Sequence, residues 1–236
     1  VDAPLTRTVP CRRYLRDRFS DTTDEVASEI LVTLDLHGVG VKKLHAAPFD
    51  PEGLVLGHAA LDMLGPEQRP FVTRADGLYF ELSVEPNLCG EADATLPRAQ
   101  NAAALMALVT RFIAAPGLWD GTGCFHRAAL YDSVSGEFVF RAEDIGRHNC
   151  LDRLAGYGVR QGKRLSEFIL FLSCRVTASM MEKALRAGIR MIVSRSAVTG
   201  AAFDAAKAAG ITLVGFARDA EERFTLFTDA SDRVAP

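Results

Sequence analysis

No Cys-x-x-Cys pair occurs in the 236 residues, and the five cysteines (Cys11, Cys89, Cys124, Cys150 and Cys174) are odd in number and widely spaced. At this size and density a disulfide-stapled fold is excluded, and a zinc ribbon or finger lacks its ligand spacing. Basic residues are no more plentiful than acidic ones. The chain has 27 Lys and Arg against 30 Asp and Glu, a net charge of −3, so no nucleic acid is expected as the main partner. No uninterrupted apolar run reaches membrane-spanning length, and Val1 opens no charged segment followed by an apolar one. The expectation is a soluble protein of a reducing cytoplasm with no membrane partner. What is present, 48% hydrophobic and 24% charged residues, argues against disorder or coiled coil and for one large or two small globular domains.

The first twenty residues, with Arg7, Arg12, Arg13, Arg16 and Arg18, read as an arm, either solvated or partner-binding. From Glu29 to Leu44 the apolar residues alternate around His37-Gly38, as in two strands joined by a tight turn. Asp50-Pro51-Glu52 is a helix start, with a stop at Gly65-Pro66. Leu78–Val84 reads as a strand leading into a loop at Pro86-Asn87-Leu88-Cys89-Gly90. A helix is expected from Pro97 to Ile113, then strands at Phe125–Tyr131 and Glu137–Arg141. In the last third, apolar strands at Phe168–Leu172, Met191–Val193 and Ile211–Phe216 alternate with helices at Ala178–Ala187 and Gly200–Ala209. That order implies parallel pairing in a layered α/β sheet. Phe224–Phe227 reads as an added edge strand. The expected organisation is an arm over 1–24, a smaller α+β portion over 25–120 containing the Cys89 loop, and an α/β core over 121–236.

Arg175, Arg195 and Arg218 each follow one of the three parallel strands. They are expected at one carboxyl edge, where open α/β sheets bind ligands. Three guanidinium forks beside helix N-termini suit a phosphate-bearing anion, whereas a single one would suit an ordinary ion pair. Glu143-Asp144-Ile145-Gly146-Arg147-His148-Asn149 follows a strand and opens a helix. Asp144 reads as its cap, Gly146 as a point of close approach, and Arg147, His148 and Asn149 as donors in the first turn. Thr122-Gly123-Cys124-Phe125-His126 is a weaker third candidate. Cys89, in a loop bearing Gly, Pro and Asn, is the candidate nucleophile, although Glu91 and Asp93 oppose a low thiol pKa.

Glu-Asp-Ile-Gly-Arg-His-Asn-Cys-Leu-Asp-Arg (143–153) resembles the Glu-Asp-Val-Gly-Arg-His-Asn-Ala-x-Asp-Lys signature of the FdhD/NarQ family, accessory sulfurtransferases of formate dehydrogenase. Ser173-Cys174-Arg175 with its following helix, Val193-Ser194-Arg195-Ser196-Ala197 and Gly215-Phe216-Ala217-Arg218 are similar to further family segments in the same order. The resemblance implies a three-layer, cytidine-deaminase-like α/β fold, usually as a homodimer. It implies sulfur transfer from a cysteine desulfurase, through a persulfide on Cys89, to the molybdenum (or tungsten) bis-molybdopterin guanine dinucleotide cofactor. That cofactor is a bound client destined for the catalytic subunit of formate dehydrogenase, with no permanent cofactor or metal in the chain. In the family the final stretch is associated with cofactor binding, which implies that role for Phe216, Ala217 and Arg218, with Arg223 nearby; together with the residues singled out above, the expected client-binding set is Gly123, His126, Asp144, Gly146, Arg147, His148, Asn149, Arg175, Ser194, Arg195, Ser196, Phe216, Ala217 and Arg218.

This chain departs from the family's Cys-Gly-x-Cys-Gly loop. Cys89-Gly90 remains, but Ala92 stands where the second cysteine would be. A single thiol can carry a persulfide without a neighbouring thiol to relay it. The alternative is a non-catalytic, cofactor-binding chaperone. Cys124, Cys150 and Cys174 stand where the family has glycine or alanine. They read as packing residues, or else as metal ligands with His126 or His148 or as substitute sulfur carriers. A deaminase-type zinc hydrolase needs His/Cys-x-Glu and Pro-Cys-x-x-Cys, and the sequence has neither.

Overall fold

The computed structural model describes residues 3–87 and 96–236. Strands β1 (Thr6–Leu15) and β2 (Arg18–Ala27) pair antiparallel over their full length, from Thr6↔Ala27 to Leu15↔Arg18. The expected arm is therefore a long hairpin. It is hidden in the sequence because neither of its faces is buried and polar residues occupy both.

A four-stranded sheet follows, in the order β4 (Gly40–Ala46), β3 (Ile30–Leu36), β6 (Tyr79–Pro86), β5 (Gln68–Asp76). In β3 the side chains alternate: Val32, Leu34 and Leu36 are fully buried, while Leu31, Thr33 and Asp35 face outward. The buried face packs on helix α1 (Pro51–His58), giving a core with Leu54, Val55, Phe80 and Leu82. The Asp50 side chain caps α1 by accepting from Gly53 N at 3.1 Å. A π-helical turn over Ala59–Met63 continues it to the expected stop. Strand β5 was not expected. Pro70 and the outward Arg69 and Arg74 mask its alternation.

After the short strand β7 (Gln100–Asn101), helix α2 spans Ala102–Ala114. It begins five residues later than expected because Asn101, not Pro97, sets the cap, its side chain accepting from Ala104 N at 2.7 Å. Next come a single turn, α3 (Trp119–Thr122), then β8 (His126–Asp132), β9 (Glu137–Asp144) and α4 (Arg147–Gln161). The remaining elements are β10 (Phe168–Leu172), α5 (Ala178–Arg186), β11 (Met191–Ser194), α6 (Gly200–Ala208), β12 (Thr212–Arg218), β13 (Arg223–Thr228) and β14 (Val234–Ala235).

The main sheet has the order β13-β12-β11-β10-β8-β9, with β10, β11 and β12 parallel and the others antiparallel. Helices cover both faces. Leu130, Leu170, Leu172, Ile192 and Leu213 pack with α4, α5 and α6, whereas Ala129, Ile169, Phe171 and Val193 pack with α2. Coverage on both sides explains why Phe168–Leu172 is an unbroken apolar run. Helix α2, expected within the 25–120 portion, thus belongs by its packing to the main sheet.

The two sheets meet where α1 crosses α4. A Cβ on Gly57 would lie 1.7 Å from the Asp152 carbonyl oxygen, and one on Gly156 1.9 Å from that of Gly53. Only glycine permits backbones this close. Among the described residues, no helix is long and apolar enough to cross a membrane.

Candidate functional site

Strand direction brings most of the expected site residues to one edge of the main sheet. Leu172 of β10 lies opposite Ala128 of β8 and Ser194 of β11, and His126 of β8 lies opposite Asp144 of β9. The ends of β10, β11 and β12, the start of β8 and the end of β9 therefore share that edge. Past it, the segments after β10 and β11 run side by side. Val176 N donates to Ala197 O at 3.0 Å, and Thr199 N to Val176 O at 3.0 Å, before each chain turns into its helix.

The expected residues divide into framework and open groups. Asp144 is fully buried. Its Oδ2 accepts from Arg153 Nη2 at 2.6 Å and from Ala47 N at 3.2 Å, and its Oδ1 accepts from Gly146 N and Asn149 Nδ2, both at 2.9 Å. Asp144 does not cap α4, whose N-cap residue is Gly146 and which has no side-chain cap. Its carboxylate is instead taken up by Arg153, which is itself 0% exposed and also donates to the carbonyls of Ala47 and Asp50. Asn149 completes the tie by donating to His45 O at 2.8 Å. Ser194 is buried too, its Oγ donating to Cys174 O at 2.7 Å and accepting from Ser196 N at 3.1 Å. Ala217 is buried in the α2-side core. Gly123 adopts φ +63 at the end of α3, a conformation suited to glycine.

The open groups are cationic. Arg175 and Arg195 are exposed, and neither has an acidic partner among the described residues. Arg147 opens α4, and its Nε is buried without any hydrogen-bond partner among the described residues. Burial, followed by the charges of Arg147 and Arg175, holds His126 below the usual imidazole range. Burial, Arg147 and Lys183 do the same for His148, whose Nε2 lies 3.0 Å from Ser179 Oγ. Both rings are thus neutral at neutral pH. Arg218 differs from the other two arginines of the row, being paired with Glu221 at 2.7 Å. Arg218 and Arg223 also lie over the Phe216 ring, 5.6 and 5.8 Å from its centroid. Phe216 has φ +49 beside a bulge in the β12–β13 pairing. A non-glycine residue held there stores strain of about 1–3 kcal/mol, as functional sites often do. Cys89 lies outside the described residues.

The match to the FdhD/NarQ family spans residues 81–235. The chain belongs to that family. It is 36% identical over 110 residues to Protein FdhD of Methanocaldococcus jannaschii and 41% identical over 117 residues to Sulfur carrier protein FdhD of Streptomyces avermitilis. These matches cover 47% and 49% of this chain but only 47% and 41% of those relatives. Sulfur carrier protein FdhD of Staphylococcus aureus is 27% identical over 241 residues, 89% of this chain and 90% of the relative. A crystal structure assigned to a formate dehydrogenase accessory protein of Desulfotalea psychrophila has the same fold, with TM-score 0.78 and 23% identity, covering 98% of this chain and 100% of that one.

This FdhD/NarQ chain also contains a cluster that sequence reasoning missed. His58 of α1, Asp62 of its π-helical extension, Asp152 of α4 and Lys183 of α5 meet beside a cavity of about 300 Å³ that His148, Asn149 and Ser179 also line. Lys183 Nζ donates to Asp62 Oδ2 and to Asp152 Oδ1, both at 2.6 Å. His58 Nδ1 lies 3.0 Å from Asp62 Oδ2 and 3.3 Å from Asp152 Oδ2. Burial works against a charge on His58, but the hydrogen bonds to Asp152 and Asp62 outweigh it and raise its pKa to about 9. Burial likewise opposes the Asp62 charge, and the bonds from His58 and Lys183 hold that carboxyl well below its ordinary range. The ligand atoms of His58, Asp62 and Asp152 are close enough to surround a metal ion. An ammonium and an imidazolium already neutralise the two carboxylates, so a metal would have to displace both. The only sequence signal was the i, i+4 spacing of His58 and Asp62; the other members come from distant segments.

The described cysteines do not form a metal site. Among the described residues, no metal-ligating cluster includes Cys124, Cys150, Cys174, His126 or His148. Burial, then Asp144, pushes the Cys150 thiol well up. Burial raises Cys174 to about 11 despite Arg147 and Arg175. Both are neutral thiols in the core, and Cys124 is exposed.

Proposed function

We propose that this chain is a sulfur carrier in formate dehydrogenase maturation. In this reading a cysteine desulfurase loads Cys89 as a persulfide. The S–S bond then breaks with Cys89 leaving as thiolate, and the outer sulfane sulfur passes to the molybdenum (or tungsten) bis-molybdopterin guanine dinucleotide, the reduced metal of that client supplying the electron pair that makes it sulfide. The cofactor then enters the catalytic subunit of the dehydrogenase. Family membership and the relatives named sulfur carriers support the reading. The observation that carries it is the edge itself, where Arg147, its Nε without a partner among the described residues at the N-terminus of a 15-residue helix, acts with Arg175 on His126 and Cys174, and where Arg195 follows β11. Such an edge suits the pyrophosphates of a guanine dinucleotide. Phe216, with Arg218 and Arg223 over its ring, offers a face for a base, and neutral His126 and His148 add donors that do not oppose an anion. A deaminase-like layering, a homodimer and a cytoplasmic site of action complete the reading.

The test is the mass of the intact protein after incubation with a desulfurase and cysteine. Wild type should gain sulfur and Cys89→Ala should not. Equal loading of the two would remove Cys89 from the mechanism. Ala92, in place of a second loop cysteine, favours one other reading, a chaperone that holds the nucleotide cofactor without transferring sulfur. That reading predicts no sulfur on wild type, with GDP binding that survives Cys89→Ala and weakens in Arg218→Ala.

A further inference from the structure

The main sheet carries cations at its other edge as well. Arg195 and Arg218 lie at or beyond the ends of β11 and β12, whereas Arg190 and Gly210 come just before those strands begin. At that starting edge a cavity of about 290 Å³ is lined by Arg190, Ser231 and Arg233 and by the apolar Leu96, Pro97 and Ala209. Hydrogen bonds between distant segments fix its walls. Thr212 N donates to Arg190 O at 3.0 Å, which ties the start of β11 to β12. Gln100 N donates to Arg233 O at 2.8 Å and Arg233 Nη1 to Pro97 O at 3.0 Å, where β14 pairs with β7. Asp229 joins the two halves. Its Oδ1 accepts from Thr212 Oγ1 at 2.7 Å and from Arg233 N at 2.8 Å, and its Oδ2 accepts from Val234 N at 3.0 Å.

The charges of this cavity do not balance. Among the described residues no acidic side chain lines it. Three carboxylates lie on the same edge, and none neutralises an arginine. Asp229 is spent on the three bonds just given. Among the described residues, neither Glu167, which precedes β10, nor Asp232, beside Arg233, forms an ion pair with Arg190 or Arg233. The exposed Arg190 side chain makes no hydrogen bond among them either, and Arg233 spends a single donor on Pro97. The carbonyl end of α6 points toward this edge and would oppose an anion, but it is capped. The N–H groups of Ala209, Gly210 and Ile211 take up the carbonyls of Ala205, Lys207 and Ala206.

Two guanidinium groups free of acids at one concave place suit a doubly charged oxyanion, and arginine forks match phosphate oxygens. The Ser231 hydroxyl adds a third donor. The apolar wall suits a small organic substituent. A volume of 290 Å³ is at the low end for ligand pockets, about 300–1,000 Å³, and too small for a dinucleotide. We propose that this cavity binds a small phosphate monoester, with the phosphate between Arg190 and Arg233 and the organic part against Leu96, Pro97 and Ala209. The site is separate from the edge that holds Arg147, Arg175 and Arg195. It is independent of sulfur transfer, which the mass measurement tests separately.

Titration of phenyl phosphate into the isotope-labelled full chain tests this through the backbone amide signals of Gly210 and Ser231. Both should shift saturably in wild type and to the same extent in Arg147→Ala, which alters only the opposite edge. Arg190→Gln has no side-chain bond to lose, so it should fold as wild type by circular dichroism. It should bind about 10- to 100-fold more weakly, the worth of one charge-assisted hydrogen bond. Should it unfold, Arg233→Gln must show the same loss. Benzoate, with one charge, and inorganic phosphate, with no apolar part, should each bind about 10-fold more weakly than phenyl phosphate or worse. Absence of saturable shifts in wild type, full affinity in the folded arginine variant, or loss of the shifts in Arg147→Ala would each overturn the proposal. Benzoate or inorganic phosphate binding as tightly as phenyl phosphate would overturn the ligand class.

Discussion

Residues 143–153 lie on one strand end and the first turns of one helix, yet they contain two populations of charged and polar side chains. Asp144, Asn149 and Arg153 point inward, are hydrogen-bonded to one another or to backbone, and tie Ala47 and Asp50 of the N-terminal portion to the main sheet. Arg147 and His148, in the first turn of the same helix, take no part in that tie and are partly buried. Among the described residues Arg147 Nε has no partner, and His148 meets only the Ser179 hydroxyl at the rim of a cavity. The difference is one of satisfaction. A buried polar group with every bond made contributes to the fold, and an unsatisfied one is held ready for something else. A contiguous motif can therefore be half framework and half site, and its residues should respond to mutation in opposite ways.

The largest expected effect falls on the framework. Arg153→Met leaves the Asp144 carboxylate buried without its cation, which should cost about 3–5 kcal/mol, read as a lowered urea midpoint. Arg153→Met/Asp144→Asn should recover part of that loss. A single variant as stable as wild type would erase the distinction between the two populations.

A smaller effect belongs to the His58 cluster, which joins the same two portions. His58 has a folded pKa of about 9 against an ordinary value of 6.5. Its stabilisation is therefore complete below about pH 6.5 and is lost as pH rises through 9. Between pH 7 and 10 wild type should lose on the order of 1–3 kcal/mol, and His58→Gln should lose less. Parallel pH profiles for the two proteins would remove His58 from the account. Asp62 works in the opposite direction. Its folded pKa is depressed, so its contribution is present above about pH 4 and is lost on acidification.

The smallest effect on stability is expected at Arg147. With no partner to orphan among the described residues, Arg147→Ala should change stability by no more than about 0.5 kcal/mol. A large loss would place Arg147 in the framework after all.

What could be read from the sequence follows the same division. Strands β10, β11 and β12 were legible because burial on both faces makes them continuous apolar runs between glycine stops. The edge that collects Arg175, Arg195 and Arg218 followed from that alternation. Strand β5 and the hairpin were not legible, since charged and polar residues dominate their exposed surfaces and blur the period of two. The direction of each α4 side chain was also beyond reach. Asp144 looked like a cap because its partner, Arg153, lies nine residues on and both anchor a segment about 100 residues earlier. The His58 cluster was hidden because three separate helical segments contribute to it.

The claim that the unsatisfied cations form an anion site is tested most directly by calorimetric titration of GDP into wild type and Arg147→Ala at equal salt. One lost charge-assisted hydrogen bond is worth about 1.5–3 kcal/mol, so the variant should bind about 10- to 100-fold more weakly while its urea midpoint stays at the wild-type value. Unchanged affinity in a folded Arg147→Ala, or no GDP binding by the wild type, would contradict the account.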